Sequence, residues 1–435
     1  MTTSATRLRH RPGRWARRDP ADRDLRLYWG GQTATAFGSV FTVIAVPLVA
    51  VDTLGATPAE TGLLAAAASL PLPLFGLFVS AWADRLRTRR RVLIACDLGI
   101  AAALAATLLA IAAGVLSVWT LAATVFLIAT AGVMVETVYM VHLKSIVPPD
   151  HLVTARARLN RGEYTGATLG RALAGPAAAL ATAVPFAVDL LARLTSATTL
   201  LLLRSPETPA PTSPAPQTSA PSDPRNRRLL RELGAGFRLL TTQPFLRGLV
   251  PFLAGQQVVA GMTLALAAPF LLNVLGVPPT WYGLLFVLLG VSGVAGTVLS
   301  ELLAGRLTPE RLTLLGLLGA AVATVALPLA GGPLHAAAAV AALGLGMPHL
   351  FAAMSNIGLV TFVTLRVPDE ILGRVSVSVQ LLTAAGTTTG ALLGGLLGTT
   401  LGVRPALWTA SALSVLTLPL LTPVLRLTRT PPTTP

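Results

Sequence analysis

Five charged side chains stand inside stretches that are otherwise apolar: Asp97, Glu136, Arg171, Asp189 and Arg193. A charge at the centre of a bilayer costs about 2.5–3.5 kcal/mol on insertion scales, so such residues mark either function or tight structural pairing. Arg171 follows Arg161 by about ten residues, roughly 15 Å along a helix, which places it at mid-depth. Asp189 and Arg193 are spaced i,i+4 and share a helix face. Glu136 stands about two turns before Lys144, at a depth similar to that of Arg171. A carboxylate that exchanges an arginine partner for a proton is a coupling device, which makes Glu136, Arg171, Asp189 and Arg193 candidates for proton coupling. On that reading Arg171 needs Glu136 or Asp189 as a partner in at least one conformation. The other reading is structural, with the same charges stapling helices together. Asp97 lies about two turns after a run of arginines and reads as a support for that run.

Uncharged polar residues in the same stretches are candidates for lining a cavity: Gln32 and Thr35, then Gln256, Gln257 and Asn273. Gly166, Gly170 and Gly175-Pro176 recur at about four-residue spacing, which allows close helix packing with a bend at the Gly-Pro step. Ordinary small-residue packing explains that run equally well. No catalytic constellation accompanies them. The single cysteine, Cys96, excludes a disulfide framework and a thiolate metal site. The five histidines never fall at metal-motif spacing, and no G-x-x-x-x-G-K-[ST] loop exists for ATP. The expectation is therefore no enzyme, no cofactor and no metal.

The elements that must hold these residues follow from composition. Hydrophobic residues make up 53% of the 435 and charged residues 12%, with a mean hydropathy of +0.70. A soluble surface of this size cannot be covered by so few polar side chains. Apolar stretches long enough to cross a bilayer fall near 28–50, 59–82, 92–113, 117–143, 155–181, 184–203, 245–273, 281–304, 311–330, 334–364, 371–400 and 404–426. The fifth and eleventh are glycine- and threonine-rich and begin with arginines. The net charge of +15 is almost wholly arginine, in clusters between these stretches, which argues for membrane anchoring and against nucleic acid. Even-numbered connections carry nearly all of it: Arg85 to Arg91, Lys144 to Arg161, Arg204 to Arg247, Arg306 and Arg311, Arg366 and Arg374. Odd-numbered connections carry only Arg404. Both termini are thus expected on the cytoplasmic side of a cell (plasma) membrane, with an even number of spans.

Residues 204–227 are too rich in proline for helix or sheet and read as an extended linker dividing the spans six and six. Residues 228–241 separate leucines from arginines, as a short helix on the membrane surface would, or else extend the seventh span. The expected organisation is a basic tail (1–26), a six-helix bundle (27–203), the linker with its short helix (204–243), a second bundle (244–426) and a tail (427–435). The halves are related. Leu54-Gly55, Pro58 and Gly62-Leu63-Leu64 recur 221 residues later as Leu275-Gly276, Pro279 and Gly283-Leu284-Leu285. Pro149-Asp150, Thr168, Ala172-Leu173 and Gly175 recur 219 residues later as Pro368-Asp369, Thr387, Ala391-Leu392 and Gly394. Parallel six-span repeats with a cavity between them suit alternating access.

The second connection reads Ala81-Trp82-Ala83-Asp84-Arg85-Leu86-Arg87-Thr88-Arg89-Arg90-Arg91. It resembles the signature loop of the major facilitator superfamily, in which an Asp-Arg pair precedes an Arg-Arg pair. Here Asp84-Arg85 and Arg89-Arg90 supply the pairs, and Ser80 or Ala81 replaces the leading glycine. The run from Thr33 to Leu64, the block RARLNRGEYTGATLGRALAGP and VPDEILGRVSVSV are similar to the branch holding the enterobactin exporter and macrolide-efflux proteins. The resemblance implies an all-α membrane protein, twelve transmembrane helices in two six-helix repeats. It implies that Asp84, Arg85, Arg89 and Arg90 latch the cytoplasmic side shut, and that the glycine run of the fifth span is similar to an antiporter motif. It also implies a monomeric proton-antiport exporter of amphipathic small molecules: drugs, macrolides or siderophore-like metabolites. An importer of the same fold and a non-transporting scaffold or sensor are the alternatives. The expected partners are a small-molecule substrate, protons and the lipid bilayer, with no nucleic acid.

Overall fold

The computed structural model describes residues 20–83, 86, 88–146, 152–203, 244–366 and 369–422. The linker, with the 228–241 stretch expected as a short surface helix or an extension of the seventh span, Asp84, Arg85 and most of both tails lie outside the described residues. Among the described residues the chain is helical, without strands. The first half comprises α1 (Pro20–Asp52), α2 (Pro58–Ser69), α3 (Pro71–Ala83), α4 (Arg89–Ala112), α5 (Val118–Ile146), α6 (Leu152–Leu180) and α7 (Ala183–Leu202). The second comprises α8 (Pro244–Pro269), α9 (Pro279–Ala304), α10 (Pro309–Ala323), α11 (Ala326–Leu329), α12 (Leu334–Arg366), α13 (Asp369–Thr400) and α14 (Val403–Leu416). A π-helical turn, Phe270–Val274, continues α8, and a 3-10 turn, Leu418–Leu421, continues α14. α2 and α3 form one rod interrupted at Pro71, which has no amide hydrogen to give. α10 and α11 likewise share a rod. Among the described residues twelve rods result, six per half. The first begins at Pro20, earlier than the apolar pattern indicated, because the polar turn before Tyr28 stays helical.

Ten helical stretches are long and apolar enough to cross a membrane by length and composition among the described residues. α6 and α14 are not among them, whereas the eleventh rod is, over Val379–Thr400. α6 carries Arg156, Arg158, Arg161, Glu163 and Arg171, more charge than an isolated span tolerates. It is held by packing along α1, which lies between α6 and α7. α8 packs along α13 in the same way, as the duplication requires. The outer surface is apolar: Leu109, Trp119, Leu180 and Leu302 are largely exposed, as side chains facing lipid would be.

Tight turns close the arginine-poor ends. Gly55 and Gly276, repeat equivalents, have φ of +62° and +67°, a left-handed conformation that residues with a Cβ rarely adopt. After Gly55, Thr57 and Glu60 cap α2 reciprocally: the Thr57 amide donates to Glu60 Oε2 (2.7 Å) and the Glu60 amide to Thr57 Oγ1 (3.3 Å). At the arginine-rich end of the second half, Thr308 caps α10 by accepting from the Arg311 amide.

Candidate functional site

α2 lies against α8, but the two halves meet chiefly along two seams, α2 with α13 and α6 with α9. These are equivalent under the duplication, since α9 repeats α2 and α13 repeats α6. Both are built on glycine. A Cβ on Gly62 would lie 2.7 Å from the carbonyl oxygen of Ala391 and from Cα of Gly395. A Cβ on Gly175 would lie 2.8 Å from Cα of Gly283 and 3.1 Å from the carbonyl oxygen of Thr280. Backbones at this separation leave no room for a side chain. Along the first seam the Ala59 amide donates to Thr399 Oγ1 (3.0 Å) and the hydroxyls of Ser69 and Thr388 lie 2.9 Å apart. Ala65, Ala66, Ala265 and Ala391 are buried between them.

Both seams begin at the arginine-poor ends. Among the described residues the α2–α13 seam runs on into α3, where a Cβ on Gly76 would lie 3.8 Å from Leu381, whereas the α6–α9 seam reaches mid-helix at Gly290, where one would lie 3.2 Å from Arg171 Nη1. One to two turns further along, the same faces are open: Tyr164 is 73% exposed on α6 and Val294 65% exposed on α9. Among the described residues a crevice therefore opens between α6 and α9 toward the arginine-rich end, with its roof at mid-depth.

Arg171 sits in that roof. It is half-buried, and its Cδ and guanidinium lie over the bare backbone of Gly290 across the seam. Among the described residues it forms no ion pair and no hydrogen bond, and neither Glu136 nor Asp189 lies within ion-pair distance of it. Glu136 is exposed on α5 and likewise has no ion pair among the described residues.

A second charged cluster is sealed inside the first half. Asp189 is fully buried on α7. Its Oδ1 accepts from Arg193 Nε at 3.2 Å and its Oδ2 accepts from the Thr42 hydroxyl of α1 at 2.6 Å. Arg193 Nη1 also lies 3.7 Å from Oδ1 of Asp97 on α4, whose side chain is 6% exposed. Asp97 therefore turns into the bundle rather than back to the arginine loop. Gly38 makes room for the cluster: a Cβ there would lie 3.3 Å from Asp189 Oδ1. The result is two carboxylates on one guanidinium, tying α1, α4 and α7 together. Thr42 escapes sequence reasoning and Asp97 reads there as a support for the arginine run, because nothing in local spacing relates either to α7.

The remaining candidates fall elsewhere. Gln256 directs its whole amide at α14: Nε2 donates to Thr417 Oγ1 (2.9 Å) and Oε1 accepts from Ser414 (2.9 Å). Gln257 packs beside Gly386 of α13, and Asn273 is exposed in the π turn at the arginine-poor end. Gln32 is half-buried on α1, and Thr35 Oγ1 is buried there without a hydrogen-bond partner among the described residues. Gly166 and Gly170 sit over the backbone carbonyls of Thr33 and Phe37, which seats α6 on α1. α6 remains helical through Pro176 to Leu180. Of the arginine loop, Arg89 opens α4 and is buried, and Arg90 donates to the carbonyl of Leu201 at the end of α7.

Known proteins place this architecture. A variant of the nucleoside transporter NupG superposes with a TM-score of 0.73 at 12% identity, over 93% of this chain and all (100%) of that one. A bacterial homologue of the human lysosomal transporter Spinster, inward-facing and unoccupied, gives 0.68 at 17% identity, over 94% and 98% of the two chains. A bacterial homologue of the iron transporter ferroportin, inward-facing, gives 0.67 at 17% identity, over 94% and 99%. At such identities the likeness is one of fold. No curated relative matches the chain by sequence. The family model described as Major Facilitator Superfamily matches residues 28–357, well over half of the chain. The protein is a multi-pass membrane transporter rather than an enzyme, and it belongs to the Major Facilitator Superfamily.

Proposed function

We propose that the chain is a secondary active transporter that exports amphipathic small molecules in exchange for protons, with both termini cytoplasmic. The observation that carries the reading is the pair of equivalent glycine seams that join the halves from the arginine-poor end. Such a molecule rocks about a central crevice, and the arginine distribution puts the open end on the cytoplasmic side. Resemblance to the enterobactin-exporter and macrolide-efflux branch supports drug-like or siderophore-like cargo. Proton coupling is supported by the Asp97–Arg193–Asp189 cluster. With all three groups ionised it holds one excess negative charge in a buried place, and one proton restores neutrality. Either carboxylate can take that proton while the other keeps the arginine, and α1, which Thr42 ties to the cluster, also carries the α6 packing face. Proton occupancy and seam closure thus meet on one helix. Asp84, Arg85, Arg89 and Arg90 serve as the latch at the opposite end when the seams part.

The test is efflux of a panel of amphipathic compounds from a transporter-deficient host, with and without an uncoupler. Accumulation lowered by the protein and restored by the uncoupler supports the reading. Uncoupler-sensitive uptake would make the protein an importer, and no change for any compound would remove the exporter assignment.

A further inference from the structure

Among the described residues, Arg171 is a cation at mid-depth without a partner. Measured along the helices, it stands about nine residues, or ~14 Å, from the arginine-poor end of α6, and Gly290 stands ~16 Å from that end of α9. It is therefore near the centre of a hydrocarbon layer of about 30 Å. It is too far inside to reach either interface by stretching its side chain, the usual escape for a membrane arginine. The bundle nevertheless provides for it. Gly290 lacks the side chain that would crowd the guanidinium, the Gly175–Gly283 contact closes the space one turn beyond it, and the exposed faces of α6 and α9 lead to it from the arginine-rich end. Both carboxylates that could have neutralised it are elsewhere: Asp189 is held by Arg193 and Thr42, and Glu136 is beyond ion-pair distance. A guanidinium presents a planar fork of donors suited to a carboxylate, sulfonate or phosphate.

We infer that Arg171 receives the anionic group of the cargo, so that the transported amphiphiles are organic anions with their acidic head against Gly290 and their apolar body in the crevice. This rests on the transporter reading above and narrows its substrate class. Because Arg171 belongs to α6 and lies against α9, an anion bound there sits on the boundary between the halves. Its affinity then differs between the closed and parted seams, as a driver of alternating access requires.

The test uses the full chain in nanodiscs of phosphatidylcholine. Binding of naphthalene-1-sulfonate and of its uncharged isostere naphthalene-1-sulfonamide is measured for the wild type, Arg171→Gln and Arg171→Lys. The sulfonate is expected to bind the wild type at least tenfold more tightly than the sulfonamide. Arg171→Gln is expected to lose that preference with sulfonamide affinity unchanged, and Arg171→Lys to keep part of it. No preference in the wild type, or a preference that survives Arg171→Gln, overturns the inference. A lipid headgroup offers the same chemistry, so the binding is repeated with phosphatidylglycerol in the disc. If phosphatidylglycerol abolishes sulfonate binding to the wild type, the anion at Arg171 is lipid and the cargo assignment falls. Equal sulfonate binding in both lipids supports cargo. Efflux of neutral and cationic amphiphiles, measured in parallel, separates the two levels: vigorous efflux of these without anion preference removes the inference and leaves the exporter standing.

Discussion

Gly175→Ala is the sharpest test of the glycine seam. The added methyl would meet Cα of Gly283 at 2.8 Å, its amide nitrogen at 3.0 Å and the Thr280 carbonyl oxygen at 3.1 Å. Ordinary contact begins near 3.4 Å, and all three atoms belong to the backbone of another helix, so no rotamer change relieves the clash. α6 and α9 must separate by several tenths of an ångström over a glycine-tight length. Overpacking of this kind costs about 1–3 kcal/mol, which shifts the equilibrium from closed to parted seam by about five- to 150-fold. Alanine also favours helix over glycine by ~1 kcal/mol. Gly293→Ala, on α9 with nothing within 4 Å of the new methyl, carries that gain without the clash and serves as the control. The readout is alkylation of a cysteine placed at Ser69, deep in the other seam, by an impermeant maleimide applied from the arginine-poor side, in a Cys96→Ala background. Labelling at least fivefold faster in Gly175→Ala than in Gly293→Ala, at equal folded yield, is the expected result. Equal rates in the two would mean that the seam is not the moving contact.

Four further experiments bear on the same reading. Arg193→Ala leaves Asp97 and Asp189 facing each other in the bundle without compensation, a loss of about 3–5 kcal/mol that purified yield and thermal unfolding would register. Asp97→Asn leaves a balanced Asp189–Arg193 pair, so folded protein should persist while uncoupler-sensitive efflux disappears; efflux at the wild-type level would remove the cluster from coupling. Reporter tags at both termini and within 210–222 should read as cytoplasmic and one near Pro333 as external, and an external terminus would refute the charge-based orientation. Asp84→Asn should slow transport several-fold at unchanged membrane insertion, whereas wild-type transport would reduce that loop to a charge anchor.

The elements were legible because a bilayer enforces length and apolarity. Each stretch of about 20 apolar residues became a rod, and the duplicated Gly62 and Gly283 blocks proved to be the same contact made from opposite sides. The exceptions have physical causes. α6, expected over 155–181, is too charged to count as a span on length and composition alone, and its helix stands because α1 offers Thr33 and Phe37 carbonyls to Gly166 and Gly170. The spacing of Asp189 and Arg193 showed a shared face, but the third member, Asp97, comes from a helix about ninety residues earlier and only packing brings it in. The same holds for Gln256. A glutamine in a span looks alike from sequence whether it faces a cavity or, as here, bonds to Ser414 and Thr417.

The composition of the seam also sets how water meets the moving parts. Among the described residues no ion pair crosses from one half to the other; the polar links are Ala59 to Thr399 and Ser69 to Thr388, amide and hydroxyl alone. When the seam parts, these groups exchange each other for water at almost no net loss, and the glycine and alanine surfaces they leave behind are small. Wetting the gap therefore strands no charge and uncovers little oil. The open and closed forms can lie within a few kcal/mol of each other, a gap that one bound ion or one molecule of cargo is able to reverse.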